Sequence, residues 1–471
     1  MILLRTALLN AALLSTPFFT SSSSILLSVA VGHASLYNFR QVFVTAVLAF
    51  MGLWALLPYS FVSSYVLPFL SILGYFFTFV AFPPMQIAPP SGPYKVGVVD
   101  TFFEKTEAIK SKFSKQKHVK VRILYPAEEG TGTASSIPYQ PLGTQICDEF
   151  MAFGAPGPLK KFGGLLHFWT LITLPFLRDA MPAKRLSSLP VVVYSHGLGG
   201  SASLYSFQAG ELASRGYATI LVEHSDGSAP LTEGRDGELI KHDITMYPLR
   251  ETPEGAWDTP PYVKERRMQL EWRIHEVVEA AKIAVGRLST SDPPELAGTN
   301  VSFKGKLDVE GGVHLVGHSF GGATILSAAA ANPDIFKSVV AHDPAVDWMT
   351  DNSRYNLLKD SGHEGSGGYE KGLEEETGLD EVPTMMIYCE DWIKLKFGHS
   401  FVTIDNLNSG ASGGKGSKGV VMQDMMHFEF SDNTLIQPVW LSRALNFCGT
   451  NPEKRAAEAS MLTFEFLEQF R

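Results

Sequence analysis

The sequence predicts an α/β fold: a mostly parallel central sheet flanked by helices, preceded by an N-terminal hydrophobic helical membrane segment. Three observations carry this. Short β-branched runs alternate with helical stretches across most of the chain. A glycine-flanked serine sits where one such run meets an alanine-rich stretch. And charge is unevenly placed: residues 1–94 hold only Arg5 and Arg40, while the remaining 377 residues carry 37 basic and 48 acidic side chains. With 45% apolar and 18% charged residues over 471 positions, the chain as a whole is neither disordered, collagen-like nor coiled coil. A net charge of −9 argues against a nucleic-acid binder that relies on bulk positive charge. Cys147, Cys389 and Cys448 are the three cysteines and none lies in a C-x-x-C pair. They offer neither a disulfide framework nor a structural zinc site.

Taken in order, the leader comes first. Residues 2–19 and 25–31 are apolar and are split by the serine run Ser21–Ser24; residues 1–20 resemble a cleavable signal segment, with one arginine ahead of an apolar run. From Gln41 to Phe82 there is no charge. A spanning helix needs about 20 apolar residues, so two transmembrane helices are expected, at about 42–57 and 61–82, broken at Pro58. Trp54, Tyr59, Tyr65 and Tyr75 suit the interfaces. Pro83, Pro84, Pro89, Pro90 and Pro93 form a stiff linker. The expected division is a leader over 1–88 and a catalytic domain over 89–471, held at a secretory-pathway membrane with the lipid bilayer as a partner.

In the domain, Pro190–Ser195 leads into His196-Gly197-Leu198-Gly199-Gly200, and a helix over 206–215 precedes a strand over 217–223. Residues 263–288 have the apolar spacing of one long amphipathic helix. Val313–Val316 enters Gly317-His318-Ser319-Phe320-Gly321-Gly322, followed by a helix over 323–331. Strands are then expected at 338–341, ending at His342-Asp343-Pro344, at 384–389, ending at Glu390-Asp391, and at 419–422, shortly before His427. Nearly continuous apolar strands point to a parallel sheet covered on both faces. The stretches 226–261, 351–381 and 408–418 are expected as surface loops.

Gly317-x-Ser319-x-Gly321 is the nucleophile elbow of an α/β-hydrolase. A serine on so tight a strand-to-helix turn needs neighbours without Cβ atoms two residues away. Its hydroxyl then stands clear of the sheet beside a helix N-terminus. Such a serine needs a base and an orienting acid, following in the order serine, acid, histidine. Of the four histidines beyond Ser319, His342 directly precedes a candidate acid, His363 sits in a Gly/Ser-rich loop and His399 follows a lysine-rich segment. His427, after the last strand and before a terminal helical region, is the favoured base. The acid stays open between Asp343 and the pair Glu390 and Asp391, with Asp347 read as a loop cap. Oxyanion donors are expected from the backbone of Phe320 and Leu198. No metal and no cofactor is expected. A phosphate-cradling turn at 196–200 is disfavoured because no Gly-Lys-Ser/Thr follows.

The segments SHGLGGSASLYS (195–206), ELASRGYATILVEHSDGS (211–228) and VGHSFGGAT (316–324), the strand end Ala341-His342-Asp343, and GPYKVGVVD (92–100) with ILYPA (123–127) resemble the platelet-activating factor acetylhydrolases of the plasma and type II intracellular kind. The resemblance runs from about residue 92 to the C-terminus. It implies Asp343 as the acid, and calcium-independent hydrolysis of short or oxidised sn-2 acyl chains of phospholipids. The alternative is a general carboxylesterase, or a lipid or polyester esterase, on the same fold. The leader and the acidic stretch 351–381 depart from that family. Finally, Phe162–Leu177 lacks charge between Lys160, Lys161 and Arg178. It fits either a buried helix or an interfacial one, with Phe168, Trp169 and Leu171 in the acyl boundary.

Overall fold

The structure is a computed structural model. It describes residues 85–104, 117–133, 137–155, 157–241, 260–292, 296, 299, 301–349, 354, 357–358 and 378–471. The two expected membrane helices, His363 and most of the 351–381 stretch lie outside the described residues. Among the described residues no helix is long and apolar enough to cross a membrane. The chain divides into two compact units. One comprises Ala88–Ile137, Leu174–Leu435 and Val439–Arg471; the other comprises Met1–Ile87, Pro138–Thr173 and Ile436–Pro438.

The larger unit is built on a ten-stranded sheet. Its long strands are β1 (Val96–Glu104), β2 (His118–Pro126), β3 (Leu189–Ser195), β4 (Ala218–Glu223), β5 (Val313–His318), β6 (Phe336–His342), β7 (Thr384–Cys389) and β8 (Lys418–Met422). Across the sheet they run β8-β7-β6-β5-β3-β4-β2-β1. From β4 to β8 every pairing is parallel; β2 is antiparallel to β4, and β1 to β2. The expected mostly parallel sheet is present, and the β1–β2 hairpin adds an antiparallel edge that the apolar runs did not signal.

Both sheet faces are covered, which is why the strands are apolar at nearly every position. Val191, Val193, Ile220, Leu315, Val339 and Met386 belong to one core cluster with residues of the long helix and the elbow helix. The alternate residues Val192, Tyr194, Leu221, Val316, Val340 and Ile387 are equally buried on the other face, as the two-residue period requires. The sheet reverses its winding between β3 and β5: the chain proceeds outward from β3 to β4, then returns to lay β5 on the opposite side. In open α/β sheets, ligands bind at the carboxyl ends of the strands flanking that reversal. Here those ends are Ser195–His196 and His318–Ser319.

The smaller unit contains helix α1 (Gly143–Gly154) and a 3₁₀ segment, Gly163–Leu171. Within it the Trp169 ring meets Phe150 edge-on at 5.5 Å, and both Phe168 and Trp169 are buried. This corrects the interfacial reading of 162–177 for those two residues: the rings are packed inside, and of the large apolar side chains in this stretch Phe162 and Leu165 stand exposed. In the larger unit the remaining helices include α2 (Ser206–Ser214), α3 (Pro260–Ile283), α4 (Phe320–Ala331), α5 (Glu390–Lys394), α6 (Ser400–Ser409) and α7 (Pro452–Leu467). α3 continues as a short π-helical turn over Ala284–Leu288, so the predicted 263–288 helix is continuous but changes its winding. α4 begins three residues earlier than expected, at the residue that follows Ser319.

Candidate active site

The elbow is dictated by two absent Cβ atoms. Ser319 has φ 58° and ψ −117°, a conformation in which a non-glycine residue is strained. A Cβ on Gly317 would come within 2.5 Å of the Gly321 carbonyl oxygen, and one on Gly321 would sit 2.0 Å from the Ser195 carbonyl oxygen. The turn closes only because both are glycine. Its backbone is then tied to the next strand: Ser319 N–H donates to the His342 carbonyl (2.8 Å), and the Ser319 carbonyl accepts from Ala345 N–H (3.1 Å). Those bonds bracket Asp343, so the elbow and the end of β6 form one rigid piece.

Asp343 is itself at positive φ, 42°, and fully buried. Its Oδ1 accepts the Cys389 N–H at 2.8 Å, and its Oδ2 meets His427 Nδ1 at 2.9 Å. An ionised carboxylate only accepts. The Asp343 bond therefore puts the proton of neutral His427 on Nδ1 and leaves Nε2 as an acceptor. His427 opens a 3₁₀ turn, His427–Phe430, pinned to the start of α2. The Asp432 carboxylate accepts from Phe207 N–H (3.2 Å), and Gln208 Nε2 donates to the Phe430 carbonyl (2.8 Å). The indole of Trp392 stacks on the His427 ring, centroids 4.1 Å apart and planes at 11°. His318, beside Ser319, lies 4.4 Å away on ring centroids. Burial above all, with the nearby His427 and His342, holds His318 well below the usual imidazole range, so it is a neutral neighbour.

The loop after β3 faces the elbow. Its N–H groups at Gly197, Gly199 and Gly200 are taken by Tyr205 Oη (3.0 Å), the Ser228 carbonyl (2.7 Å) and the Gly197 carbonyl (3.1 Å). The Leu198 N–H has no acceptor among the described residues. Phe320 opens α4, where N–H groups lack intrahelical acceptors. Tyr205 Oη also bonds His318 Nδ1 at 2.9 Å, tying the loop to the elbow.

Of the other candidates, Glu390 and Asp391 open α5 on its first turn. Glu390 accepts from Asp424 N–H (2.9 Å) and pairs with Lys394 at 2.5 Å, so its carboxylate is taken up by those two partners. Asp347 is an ion-pair partner rather than a simple loop cap, 2.7 Å from His399 Nδ1 and 3.2 Å from the Arg354 guanidinium. His342 points to the opposite face, bonding Thr463 on α7 (2.9 Å). His318, Asp343 and His427 offer three ligand atoms within 4.8 Å. Both Asp343 oxygens are already engaged by protein donors, the Cys389 N–H and His427 Nδ1, so Asp343 and His427 read as a hydrogen-bonded pair.

Sequence reasoning missed Trp392, Tyr205 and the Cys389 N–H. It also missed a second serine–histidine–acid chain. Ser195 Oγ lies 2.8 Å from His224 Nε2, and His224 Nδ1 lies 2.8 Å from Glu276 Oε2. All three side chains are fully buried, whereas the His427 side chain keeps 21% exposure. A substrate carbonyl has no path to Ser195, so this chain braces the sheet end beneath the loop. The sequence gives Ser195 no elbow, since Val193 stands where the motif needs glycine and the histidine precedes the acid, and burial seals the chain off.

A nucleophile elbow on a parallel sheet, at the winding reversal, with a histidine–aspartate pair from the next strand ends, defines the α/β-hydrolase class. Within that class, the family model for "Platelet-activating factor acetylhydrolase, isoform II" matches residues 79–357, more than half of the chain. The chain belongs to this family. A model of the prolyl oligopeptidase family matches residues 309–448, a span that includes His427. Platelet-activating factor acetylhydrolase of Cavia porcellus is 27% identical over 280 residues, covering 57% of each chain. That of Bos taurus is 28% identical over 271 residues, covering 56% of this chain and 55% of the relative. A putative phospholipase A2 of Schizosaccharomyces pombe is 27% identical over 268 residues, covering 51% and 58%. The chain thus spans little more than half the length of these curated relatives. Among solved structures, a ferulic acid esterase from Streptomyces cinnamoneus superposes with a TM-score of 0.46 at 16% identity, over 82% of this chain and 92% of that one.

Proposed function

We propose that this chain is a serine esterase that hydrolyses the sn-2 short or oxidised acyl ester of phospholipids. The observation that carries the proposal is the buried Asp343 carboxylate holding His427 in the tautomer that can take a proton, with the His427 ring 4.4 Å from that of His318, the residue before Ser319 at the elbow. In the first half-reaction His427 Nε2 accepts the Ser319 hydroxyl proton while Oγ attacks the ester carbonyl. The negative charge that forms on the carbonyl oxygen is met by the Leu198 and Phe320 N–H groups. Collapse breaks the C–O bond to the lysophospholipid, whose oxygen takes the proton back from His427, leaving an acyl-serine. Water, deprotonated by the same imidazole, then releases the carboxylic acid and restores Ser319. Trp392 keeps one face of the imidazole dry and gives the transient imidazolium a π-face.

Membership of the family, whose relatives are named for platelet-activating factor and for phospholipase A2, supports a phospholipid substrate over a general carboxylesterase. The uncharged stretch Gln41–Phe82 supports placement of the enzyme at a membrane surface, where such substrates reside. The test is a phosphatidylcholine series differing only at sn-2, from acetyl to long acyl, assayed with and without a calcium chelator. Steep preference for the short members, unaffected by chelation, is expected. Rapid turnover of short p-nitrophenyl esters with no turnover of any phospholipid would favour the general esterase.

A further inference from the structure

The two arms proposed to hold the oxyanion share one buried cation. Arg273, on α3, is fully buried. Its Nη2 donates to the carbonyl of His196, the residue that opens the loop after β3. Its guanidinium carbon lies 4.5 Å from the ring centroid of Phe320, the first residue of α4. On its other edge, Nε lies 3.7 Å from Asp226 Oδ2. Asp226 Oδ1 accepts the N–H of Ser228 at 3.1 Å and its hydroxyl, and the Ser228 carbonyl accepts the Gly199 N–H at 2.7 Å. The loop is therefore gripped on both sides of Leu198, at His196 and at Gly199, by one arginine–aspartate pair. The same arginine lies over the side chain that anchors the second donor.

His196 itself is locked. Its Nδ1 lies 2.8 Å from the Gly197 carbonyl and 3.2 Å from Arg273 Nη2, and its Nε2 faces the His224 N–H at 3.2 Å. Burial above all, with Arg273 and His224 nearby, holds its pKa well below the usual range, so the ring is neutral. Arg273 remains a cation near neutrality although burial pulls it down to about 10, with Asp226 and Glu276 acting against the fall. Stability gives no reason for such a residue. Replacing a buried ion pair by apolar side chains is often neutral or stabilising, and Leu270 and Val277, a turn away on the same helix, pack as ordinary core. A guanidinium offers what an aliphatic chain does not: directed donors and a planar face, used on two separate segments at once.

We propose that Arg273 is a positioning residue for the oxyanion hole, setting the Leu198 and Phe320 N–H groups at the spacing that a tetrahedral intermediate requires. The inference rests on the esterase reading above and deepens it. An oxyanion hole built for oxygen discriminates against a thionoester, whose developing sulfur anion is larger and a weaker acceptor. The ratio of oxo-ester to thionoester turnover therefore reports the hole, and a purely structural role would not move it.

The experiment measures kcat and KM on matched p-nitrophenyl acetate and thionoacetate for the full chain, with thermal unfolding alongside. Arg273→Lys keeps the charge but loses the fork. Arg273→Met with Asp226→Asn removes the pair without stranding a charge. Both should lower kcat on the oxo-ester by about 10–100-fold, part of the roughly 10²–10³ that losing a donor costs, with KM within about threefold and a reduced oxo-to-thiono ratio. Phe320→Leu keeps the backbone donor and removes the ring beneath the guanidinium, and should lower the ratio in the same direction. A folded Arg273→Lys with wild-type kcat and ratio overturns the proposal. So does an unchanged ratio in Phe320→Leu, even where both arginine variants fail to fold. A wild-type chain that turns over neither ester defeats the esterase reading itself, whereas an active wild type with an indifferent Arg273 defeats only this role.

Discussion

Asp343→Asn places the whole relay under test, and the structure sets what the amide must do. The substituted side chain would have one oxygen and one NH₂ to place between the Cys389 N–H and His427 Nδ1, which the carboxylate now meets at 2.8 Å and 2.9 Å. With the oxygen toward Cys389, the NH₂ faces His427 and requires Nδ1 to accept. The imidazole proton then moves to Nε2, which can no longer take the Ser319 proton. With the amide flipped, two donors face each other at Cys389 in a fully buried site, at a cost of about 1–3 kcal/mol. The first orientation wins, so the fold should survive and the chemistry should not. A wrong tautomer costs about 10⁴ in kcat, or about 5.4 kcal/mol in the barrier. The assay is kcat on p-nitrophenyl acetate with thermal unfolding followed in parallel. Glu390→Gln and Asp391→Asn serve as comparators that should stay within about threefold of wild type. Asp343→Asn retaining more than about a tenth of wild-type kcat, or Asp391→Asn being the weaker enzyme, would refute the assignment of the acid.

Three further outcomes are expected. Ser319→Ala should lose at least about 10⁴-fold in kcat and all labelling by a fluorophosphonate, while Ser195→Ala keeps most of both; labelling that disappears with Ser195 instead would show that the buried chain is the site. Glu223, pushed up from 4.5 to about 7 chiefly by burial, holds a proton in the fold that the unfolded chain releases near 4.5. Stability from this group is therefore full below about pH 4.5 and is lost as pH rises through about 7, by up to about 3 kcal/mol. Glu223→Gln should flatten the denaturation midpoint between about pH 5 and 8, and an unchanged slope would place the titration elsewhere. Deleting residues 1–88 should leave a soluble esterase active on p-nitrophenyl acetate, which fractionation and turnover measure together; an aggregated product would mean that the leader is needed for folding.

Much of the site is legible along the chain because the elbow is a local device. Gly317, Ser319 and Gly321 are set by clashes within one turn, and the strand and helix around them announce themselves by composition. His427 is reached by elimination and by its place after the last strand. The residues alone do not decide for Asp343, since Asp343, Glu390 and Asp391 all end strands; the family resemblance favours it, and the hydrogen bond to His427 sets it apart in space. The tryptophan on the imidazole and the tyrosine joining loop to elbow leave no local trace. Each acts on a partner far away in sequence, 35 residues for Trp392 and His427 and 113 for Tyr205 and His318.

Short-range sterics and the hydropathy of single segments are enough to fix the alternation of strands and helices, the elbow and the apolar leader, so all three can be read from the order of residues. How far each histidine is open to solvent is a different kind of fact, and it emerges only when the chain is packed. Ser195–His224–Glu276 and the Ser319, His427 and Asp343 set use the same residue types, although only Ser319 carries the glycine-flanked elbow. The side chains of the first are sealed at 0% exposure, while His427 keeps a fifth of its side chain open to solvent. Exposure belongs to the packed sheet and its covering helices, which no local pattern encodes. The same holds for Trp169, whose uncharged surroundings fit both a lipid surface and a protein interior until packing against Phe150 places it in the second.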